Sequence, residues 1–480
     1  MYTEVLDFIM DLASKMGVQY CDARITKYRS KLISCHNGIV TVNDEVNEGI
    51  GVRVLMEGSW GFYGSHSVEL ESCKDLVEKA IKMATSASIY NKYKVKLVES
   101  SIVTGKYVND FKKNPFTVEE TDIIDLLKTS NEVLKEQSVK IRHSLTSFKA
   151  FEEEKYVATS EGSNVYQKFT GCGALVQGRA YENGLVARRS YPQSLDLNFA
   201  TKGYEWIEGL DLVNNAEKIG KELINLLAAP TCPHGTRDLI LADDMLALQI
   251  HETIGHPTEL DRVLGTEWDF AGSSFLTPDK LGVLQFGSDV VNVTADPTIS
   301  GGPGTYKYDD EAVEGKSTYL IKNGIFIGYQ SSREMAAALN LKESSGGMRA
   351  MDGVHPPLIR MNNINLLPGD WTRDEIISDT SEGLLITGPI MEIFDQRRRT
   401  FIFGAEIGWL IKNGELVEVV RNPVYSGQTL SFWRNCDAIA KDGWSSYSSG
   451  CGKGRPHQRV RVGHYCSMAR FVNVKIGELV

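Results

Sequence analysis

The sequence predicts an α+β fold in which helices pack on antiparallel sheets, and three observations carry that expectation. Strand-like runs follow one another with only short turns between them, which favours antiparallel pairing over the long crossovers of a parallel sheet. Asn-Gly pairs stand between β-rich runs at Asn37-Gly38 and Asn183-Gly184, and Asn-Gly there is the strongest short-range hairpin signal. Beyond about residue 230 the chain turns glycine-rich and strand-heavy, with few helical stretches.

In order, the first helix puts Val5, Ile9, Leu12, Ala13 and Met16 on one face, with Thr3 placed to cap it and Gly17 to end it. Strands are expected at 31–35 and 39–42, around His36-Asn37-Gly38, then at 50–55 and 60–63. A helix over 70–83 carries Leu76, Val77, Ala80 and Ile81 on one side. From Thr117 the order recurs more loosely. A helix bears Ile123, Ile124, Leu127 and Leu134, strands fill 140–189, and a helix over 215–227 stops at Pro230. The layout resembles a duplicated helix–meander–helix unit without a residue-level repeat. A boundary near Ala228-Ala229-Pro230-Thr231 gives an N-terminal α+β domain over 1–228 and a C-terminal, β-rich domain with a metal-binding helix over 229–480. In the second part a helix spans 245–255 and a shorter one 334–339. The string Leu-Ile-Lys-Asn-Gly occurs at 320–324 and 410–414, each time as an expected hairpin tip.

Composition narrows the function. Lys plus Arg number 52 against 62 Asp plus Glu, a net charge of −10, which argues against non-specific nucleic-acid binding. Eight cysteines, at 21, 35, 73, 172, 232, 436, 451 and 466, are too scattered for a disulfide scaffold, so a reduced, intracellular chain is expected. The acidic start MYTEVLDFIMD is unlike a signal peptide, and no apolar run approaches the ~18 residues of a membrane span. Arg397-Arg398-Arg399 reads as a partly packed ion-pairing segment rather than a nucleic-acid patch. Gly301-Gly302-Pro303-Gly304 lacks the lysine spacing of a phosphate loop. His457, His464 and Cys466 match no common metal spacing and are expected to be surface or structural.

The chemistry concentrates in Leu246-Ala247-Leu248-Gln249-Ile250-His251-Glu252-Thr253-Ile254-Gly255-His256-Pro257. Two histidines and a glutamate in an otherwise apolar helix suit a catalytic zinc site, which needs about three N, O or S ligands and an open position for water. The adjacent glutamate is placed to take a proton from that water. The histidines are five residues apart, about 140° around a regular helix, so they cannot share one ion unless the helix deforms. A π-type turn or an early helix end would bring them together. Gly255 relaxes the backbone at that point, and Pro257 forbids ordinary continuation. Leaving His251 and Glu252 buried without partners would be costly.

The stretch IHETIGHPTELDRVLG (250–265), followed by FAGSSF (270–275), resembles the HExxxH signature of the TldD/PmbA family on its TldD-like branch. Three further blocks agree in order: Gly51-Val52-Arg53-Val54 with Trp60-Gly61-Phe62, then Gly304-Thr305-Tyr306-Lys307-Tyr308-Asp309-Asp310-Glu311, then Cys451-Gly452-Lys453-Gly454. The resemblance spans nearly the whole chain. It implies a cytoplasmic zinc metallopeptidase with one zinc per chain, acting on peptides or unstructured polypeptides. It also implies a homodimer, or a heterodimer with a PmbA/TldE-like paralogue, with no nucleic-acid or membrane partner. Because PmbA-type paralogues lack the two histidines, the resemblance makes this chain the catalytic kind. His251 and His256 are then metal ligands and Glu252 the general base. The third ligand maps onto Cys451, and Glu259, Asp261 and His355 are its rivals on residue chemistry alone. After Gly454 the run Arg455-Pro456-His457-Gln458 departs from the family's commoner spacing, which bears on the loop there. A strand-rich C-terminal half would hold a peptide extended by main-chain hydrogen bonds. The alternative is a non-catalytic regulatory or scaffold subunit of the gyrase-modulator type.

Overall fold

A computed structural model describes residues 2–477. The N-terminal part is built from α1 (Tyr2–Lys15), β1 (Tyr20–His36), β2 (Ile39–Met56), β3 (Ser59–Ser65), α2 (Leu70–Ser88), β4 (Thr104–Val108), α3 (Glu120–Glu136), β5 (Ile141–Thr159), β6 (Asn164–Glu182), β7 (Leu185–Tyr191), the short α4 (Glu205–Gly209) and α5 (Leu212–Ala228). Among the described residues, seven strands form one sheet in the order β3-β2-β1-β5-β6, with β4 and β7 both beside β6. The two meanders meet at β1 and β5, paired antiparallel from Asp22 opposite Thr159 to His36 opposite Leu145. The duplicated layout thus appears as a near-symmetric strand order about that central pair. The architecture is α+β; among the described residues the parallel strand pairs are β4 with β6 here and one pair in the second sheet, besides isolated bridges.

Two local expectations shift. Thr3 lies inside the first turn of α1 instead of capping it, while Gly17 ends the helix in the left-handed region at φ 70°. The strand expected at 31–35 is the tail of the 17-residue β1, whose first seven residues are all buried. Charged residues in that stretch hid the strand: Asp22 and Arg24 are each 2% exposed, and Arg53, opposite Asp22 on β2, is 6% exposed. They are tolerated because the C-terminal part covers this face and satisfies them. Arg53 Nη2 lies 2.6 Å from Asp22 and 3.0 Å from Glu311, and Lys155 Nζ lies 2.9 Å from Asp310. Arg24 donates to the carbonyls of Asp352 and His355. Asp310 and Glu311 therefore fasten the two parts together through buried, paired charge, the form in which such charge survives burial.

In the C-terminal part β8 (Gly235–Leu241) joins a second seven-stranded sheet with the strands Glu382–Phe394, Thr400–Lys412, Glu415–Arg421, Val424–Gln428, Cys436–Ile439 and Ala469–Ile476. Its parallel partner is Glu382–Phe394. Both Leu-Ile-Lys-Asn-Gly strings are hairpin tips, with Asn323 and Gly324 at φ 47° and 74° and Asn413 and Gly414 at 52° and 81°. Two positive φ angles in a row match the right-handed twist of the flanking strands. The ribbon Ser445–Lys453 paired with Gln458–Cys466 stands apart from the large sheet. From β8 the chain passes directly into α6 (Asp243–Ile250), all eight residues of which are buried. Leu239, Leu241, Met245, Leu246, Ile250 and Ile254 sit inside the largest apolar cluster.

Candidate metal centre

The helix carrying His251 deforms in the way its spacing requires. After Ile250 it widens into a π-turn over His251–Gly255, with the His256 N–H donating to the His251 carbonyl, and it then tightens to a 3-10 turn over His256–Thr258. Five residues now close about one turn, so the two imidazoles share a face, their centroids 4.8 Å apart and their planes at 88°. The carbonyls released from the α ladder find other donors. Thr258 Oγ1 donates to Ile254 and Gly255, each at 2.9 Å, and Gln330 Nε2 donates to Gly255 at 2.9 Å. Gly255 has right-handed angles, φ −55° and ψ −64°. Its absent side chain matters for space: a Cβ would stand 2.1 Å from Met361 Sδ.

The ribbon supplies the rest. Cys451, opposite Val460, places its Sγ 3.5 Å from His256 Nε2. Donor atoms of His251, His256 and Cys451 all lie within 4.8 Å of one another; no other such cluster of His, Cys, Asp or Glu occurs among the described residues. His464, on the returning strand, stands behind His251, with Nε2 2.8 Å from His251 Nδ1. His464 Nδ1 lies 3.3 Å from the Ile364 carbonyl, which can only accept. His464 Nδ1 therefore carries its hydrogen and Nε2 accepts from His251, leaving the His251 Nε2 lone pair free toward the cluster. His256 is set likewise: Nδ1 lies 2.9 Å from the Glu259 carboxylate, and Nε2 faces Cys451. Arg262 Nη2 also approaches that Nδ1, at 3.3 Å, but the nearer carboxylate decides the tautomer. Such outer partners fix ring orientation and ligand basicity in metal sites.

Electrostatics favour the same donor forms. Burial lowers the pKa of both imidazoles, His256 well below the ordinary value, so both rings are neutral near pH 7. Burial alone would push the Cys451 thiol up; the His256 ring, when it is protonated, and the Arg360 guanidinium oppose this and bring the thiol down to about 7. Two neutral imidazoles and a readily ionised thiol suit a borderline-soft divalent ion such as zinc. Glu252 has Oε1 3.9 Å from His251 Nε2 and Oε2 3.0 Å from Arg398 Nη1. Burial raises its carboxyl pKa, with Arg398 and His251 opposing. A cavity of about 340 Å³ opens onto these residues and is also walled by Gln193, Asp244, Pro389, Glu392, Phe394 and Tyr447.

His251, Glu252, His256 and Cys451 thus come together. The three rivals lie elsewhere in the network. Glu259 holds His256, Asp261 accepts from Lys453 Nζ at 2.8 Å on both oxygens, and His355 pairs with Asp352 at 2.7 Å. Lys453, wholly buried, ties the Cys451 loop to the helix that follows the histidines. Sequence reasoning missed the placement of His464 and Arg398, both of which line the cavity. The other two of that C-terminal trio diverge: the His457 ring lies tilted against Phe270, centroids 6.0 Å apart, and the Cys466 thiol meets the Asp243 carbonyl at 3.1 Å.

Family models for the PmbA/TldA metallopeptidase match three stretches: domain 1 over 21–84, the central domain over 113–229 and the C-terminal domain over 234–476. The chain belongs to the PmbA/TldD metallopeptidase family. It is 34% identical over 428 residues to a metalloprotease of Methanocaldococcus jannaschii, covering 88% of this chain and 90% of that one. It is 26% identical over 474 residues to a zinc metalloprotease TldD homolog of Saccharolobus solfataricus, covering 94% and 98%. Two crystal structures share the fold at 18% identity. TldE from Thermococcus kodakarensis superposes with a TM-score of 0.78 over 100% of both chains. A Thermotoga maritima protein described as a modulator of DNA gyrase superposes with a TM-score of 0.79 over 99% of this chain and 100% of its own. Among the described residues, no helix of this PmbA/TldD protein is long and apolar enough to cross a membrane.

Proposed function

We propose that this chain is a zinc peptidase that hydrolyses peptides or unstructured polypeptides at the His251, His256 and Cys451 cluster. The observation that carries the reading is the convergence of three donor atoms within 4.8 Å beside the Glu252 carboxylate. Zinc bound there would acidify a water and polarise the scissile carbonyl. The remaining work falls to side chains. Glu252 takes the proton of the attacking water and returns it to the leaving amine, and its burial raises its affinity for that proton. Glu259 and His464 hold the two imidazoles in the tautomers that present Nε2. The roughly 340 Å³ cavity admits an extended chain more readily than a folded one. The zinc named for the Saccharolobus solfataricus relative supports the choice of ion.

The eight unpaired cysteines support a reduced, cytoplasmic setting. The shared fold with TldE supports assembly either as a homodimer or with a TldE-like paralogue. One experiment tests the reading. The purified chain, assayed for zinc by elemental analysis, is incubated with a mixture of unstructured peptides with and without chelator, and the products are read by mass spectrometry. About one zinc per chain and chelator-sensitive cleavage are expected. A folded, metal-free protein that cleaves nothing after zinc addition refutes the reading and favours the scaffold alternative.

A further inference from the structure

The run Arg397-Arg398-Arg399 lies in the tight turn between the strands Glu382–Phe394 and Thr400–Lys412. Its outer two side chains are exposed, whereas Arg398 is only 6% exposed. The turn is built to produce that difference. The Asp395 carboxylate accepts from the backbone N–H groups of Arg397, Arg399 and Thr400 at 2.7, 2.8 and 2.7 Å. The Arg398 N–H closes onto the Asp395 carbonyl at 2.8 Å, with Arg398 in the left-handed region at φ 62°. The side chain folds inward, its guanidinium carbon 3.3 Å from the centre of the Phe394 ring, and enters the cavity that holds His251, Glu252 and Cys451.

Once there, the guanidinium is under-used. Its Nε and Nη1 are buried without a hydrogen-bond partner, and the 3.0 Å contact with Glu252 Oε2 lacks hydrogen-bond alignment. Several other buried arginines leave Nε unmatched, but among the described residues Arg398 alone leaves two nitrogens so. Burying donors unsatisfied costs free energy that the fold does not recover locally. A positive φ and an unspent guanidinium beside a general base are the marks of a residue held for a ligand.

We propose that Arg398 is a catalytic residue that donates hydrogen bonds to the scissile carbonyl oxygen and stabilises the negative charge that develops on it. The inference rests on the peptidase reading above. In the step concerned, the water oxygen bonds to the carbonyl carbon, the π electron pair moves onto the carbonyl oxygen, and the water proton passes to Glu252. The collapse restores that pair to the C=O bond, breaks the C–N bond and sends the proton from Glu252 to the amine. As Glu252 accepts the proton it loses the charge that faces Arg398, while the oxyanion gains one. The guanidinium thus exchanges one anion for another without moving. A peptide α-carboxylate fits less well, because Glu252 and Glu392 already face this guanidinium and a third full negative charge would be repelled.

Arg398→Met keeps the aliphatic stem over Phe394 and removes the donors, and Arg398→Lys keeps the charge. Wild-type protein is first shown to cleave a peptide with zinc present; no cleavage at that stage sinks the peptidase reading itself, and this inference with it. Loss of an oxyanion donor lowers kcat by about 100- to 1000-fold, so Arg398→Met is expected to fall in that range. KM should stay within a few-fold and zinc at one per chain, with part of the loss recovered in Arg398→Lys. A phosphinic pseudopeptide copying the cleaved sequence mimics the tetrahedral centre, and calorimetry should show it losing affinity for Arg398→Met by the same factor as kcat/KM. The proposal is overturned if Arg398→Met keeps kcat within tenfold, if it loses zinc, or if the pseudopeptide binds it unchanged. It is also overturned if the defect appears with free-acid substrates and vanishes with C-terminally amidated ones, which would make Arg398 a carboxylate anchor.

Discussion

Replacing His464 by alanine should weaken zinc binding without touching any of the three donors. The His251 Nδ1–H has one partner in the structure, His464 Nε2 at 2.8 Å, and His464 is 2% exposed. Removing the acceptor leaves a buried donor unmatched, which costs about 1–3 kcal/mol. That cost falls on the one tautomer that offers Nε2 to the ion, so it appears as lost metal affinity, about 5- to 150-fold at 1.4 kcal/mol per tenfold. Outer-layer partners of metal-binding histidines cost about 10- to 100-fold when mutated, which agrees. A water entering the space of the lost ring would restore part of the bond and move the result toward the lower figure. His464→Gln keeps an acceptor oxygen and should lie within a few-fold of wild type. Zinc dissociation constants are measured by competition with a fluorescent chelator at fixed pH, with thermal unfolding checked in parallel. Alanine and wild type agreeing within twofold, or alanine and glutamine falling equally, would show that the His464 contact does not set the His251 tautomer.

Glu252→Gln should fold, retain about one zinc per chain and lose hydrolysis, because a neutral amide cannot take the water proton; loss of zinc from a well-folded variant would make Glu252 a ligand instead. Cys451→Ser should sharply lower zinc occupancy by elemental analysis, while Cys436→Ser and Cys466→Ser leave it unchanged, since the Cys451 thiol alone of the three lies in the donor cluster. The Cys451 thiol is lowered to about 7 and both imidazole pKa values are lowered from their ordinary range. The sign follows: above about pH 7 the thiolate and neutral rings are already present and zinc affinity is flat. Below it each ion must displace one thiol proton, so affinity should fall about tenfold per pH unit. Affinity that is unchanged from pH 8 to pH 5.5 would exclude a thiolate ligand.

What could be read in advance depended on whether the cause was local in the chain. The five-residue spacing of His251 and His256, with Gly255 and Pro257 beside them, announced an irregular helix because helical geometry alone decides it, and the π-turn over His251–Gly255 is there. The Asn-Gly hairpin tips were equally local, since two adjacent residues set their own φ angles. The length of β1 was not. Asp22 and Arg24 break the apolar alternation, and what buries them is Arg53, Asp310 and the 352–355 loop, contributed from up to 331 residues away. Cys451 joined the histidines across 195 residues; residue chemistry alone left Glu259, Asp261 and His355 as rivals, and it was largely resemblance to the family that singled it out. His464 stayed hidden because its face depends on how the ribbon register sets Tyr447 opposite it, which no local pattern states.

Arg398 shows the limit most directly. The run Arg397-Arg398-Arg399 reads as a partly packed, ion-pairing segment; in the structure its first and third members are exposed, with Arg399 4.0 Å from Asp395, and the packed member is the middle one. The middle arginine turns inward because Asp395, three residues earlier, gathers three backbone N–H groups and holds Arg398 at φ 62°. An aspartate preceding three arginines suggests ion pairs, and composition gives no sign that the carboxylate also caps the backbone. Once the turn is formed, alternation does the rest: the flanking side chains stay in water and the central guanidinium has Phe394 and the cavity as its surroundings. A charge run is thus solvated or buried according to the backbone that carries it, and that backbone is set by hydrogen bonds which pattern reading assigns to side-chain pairing.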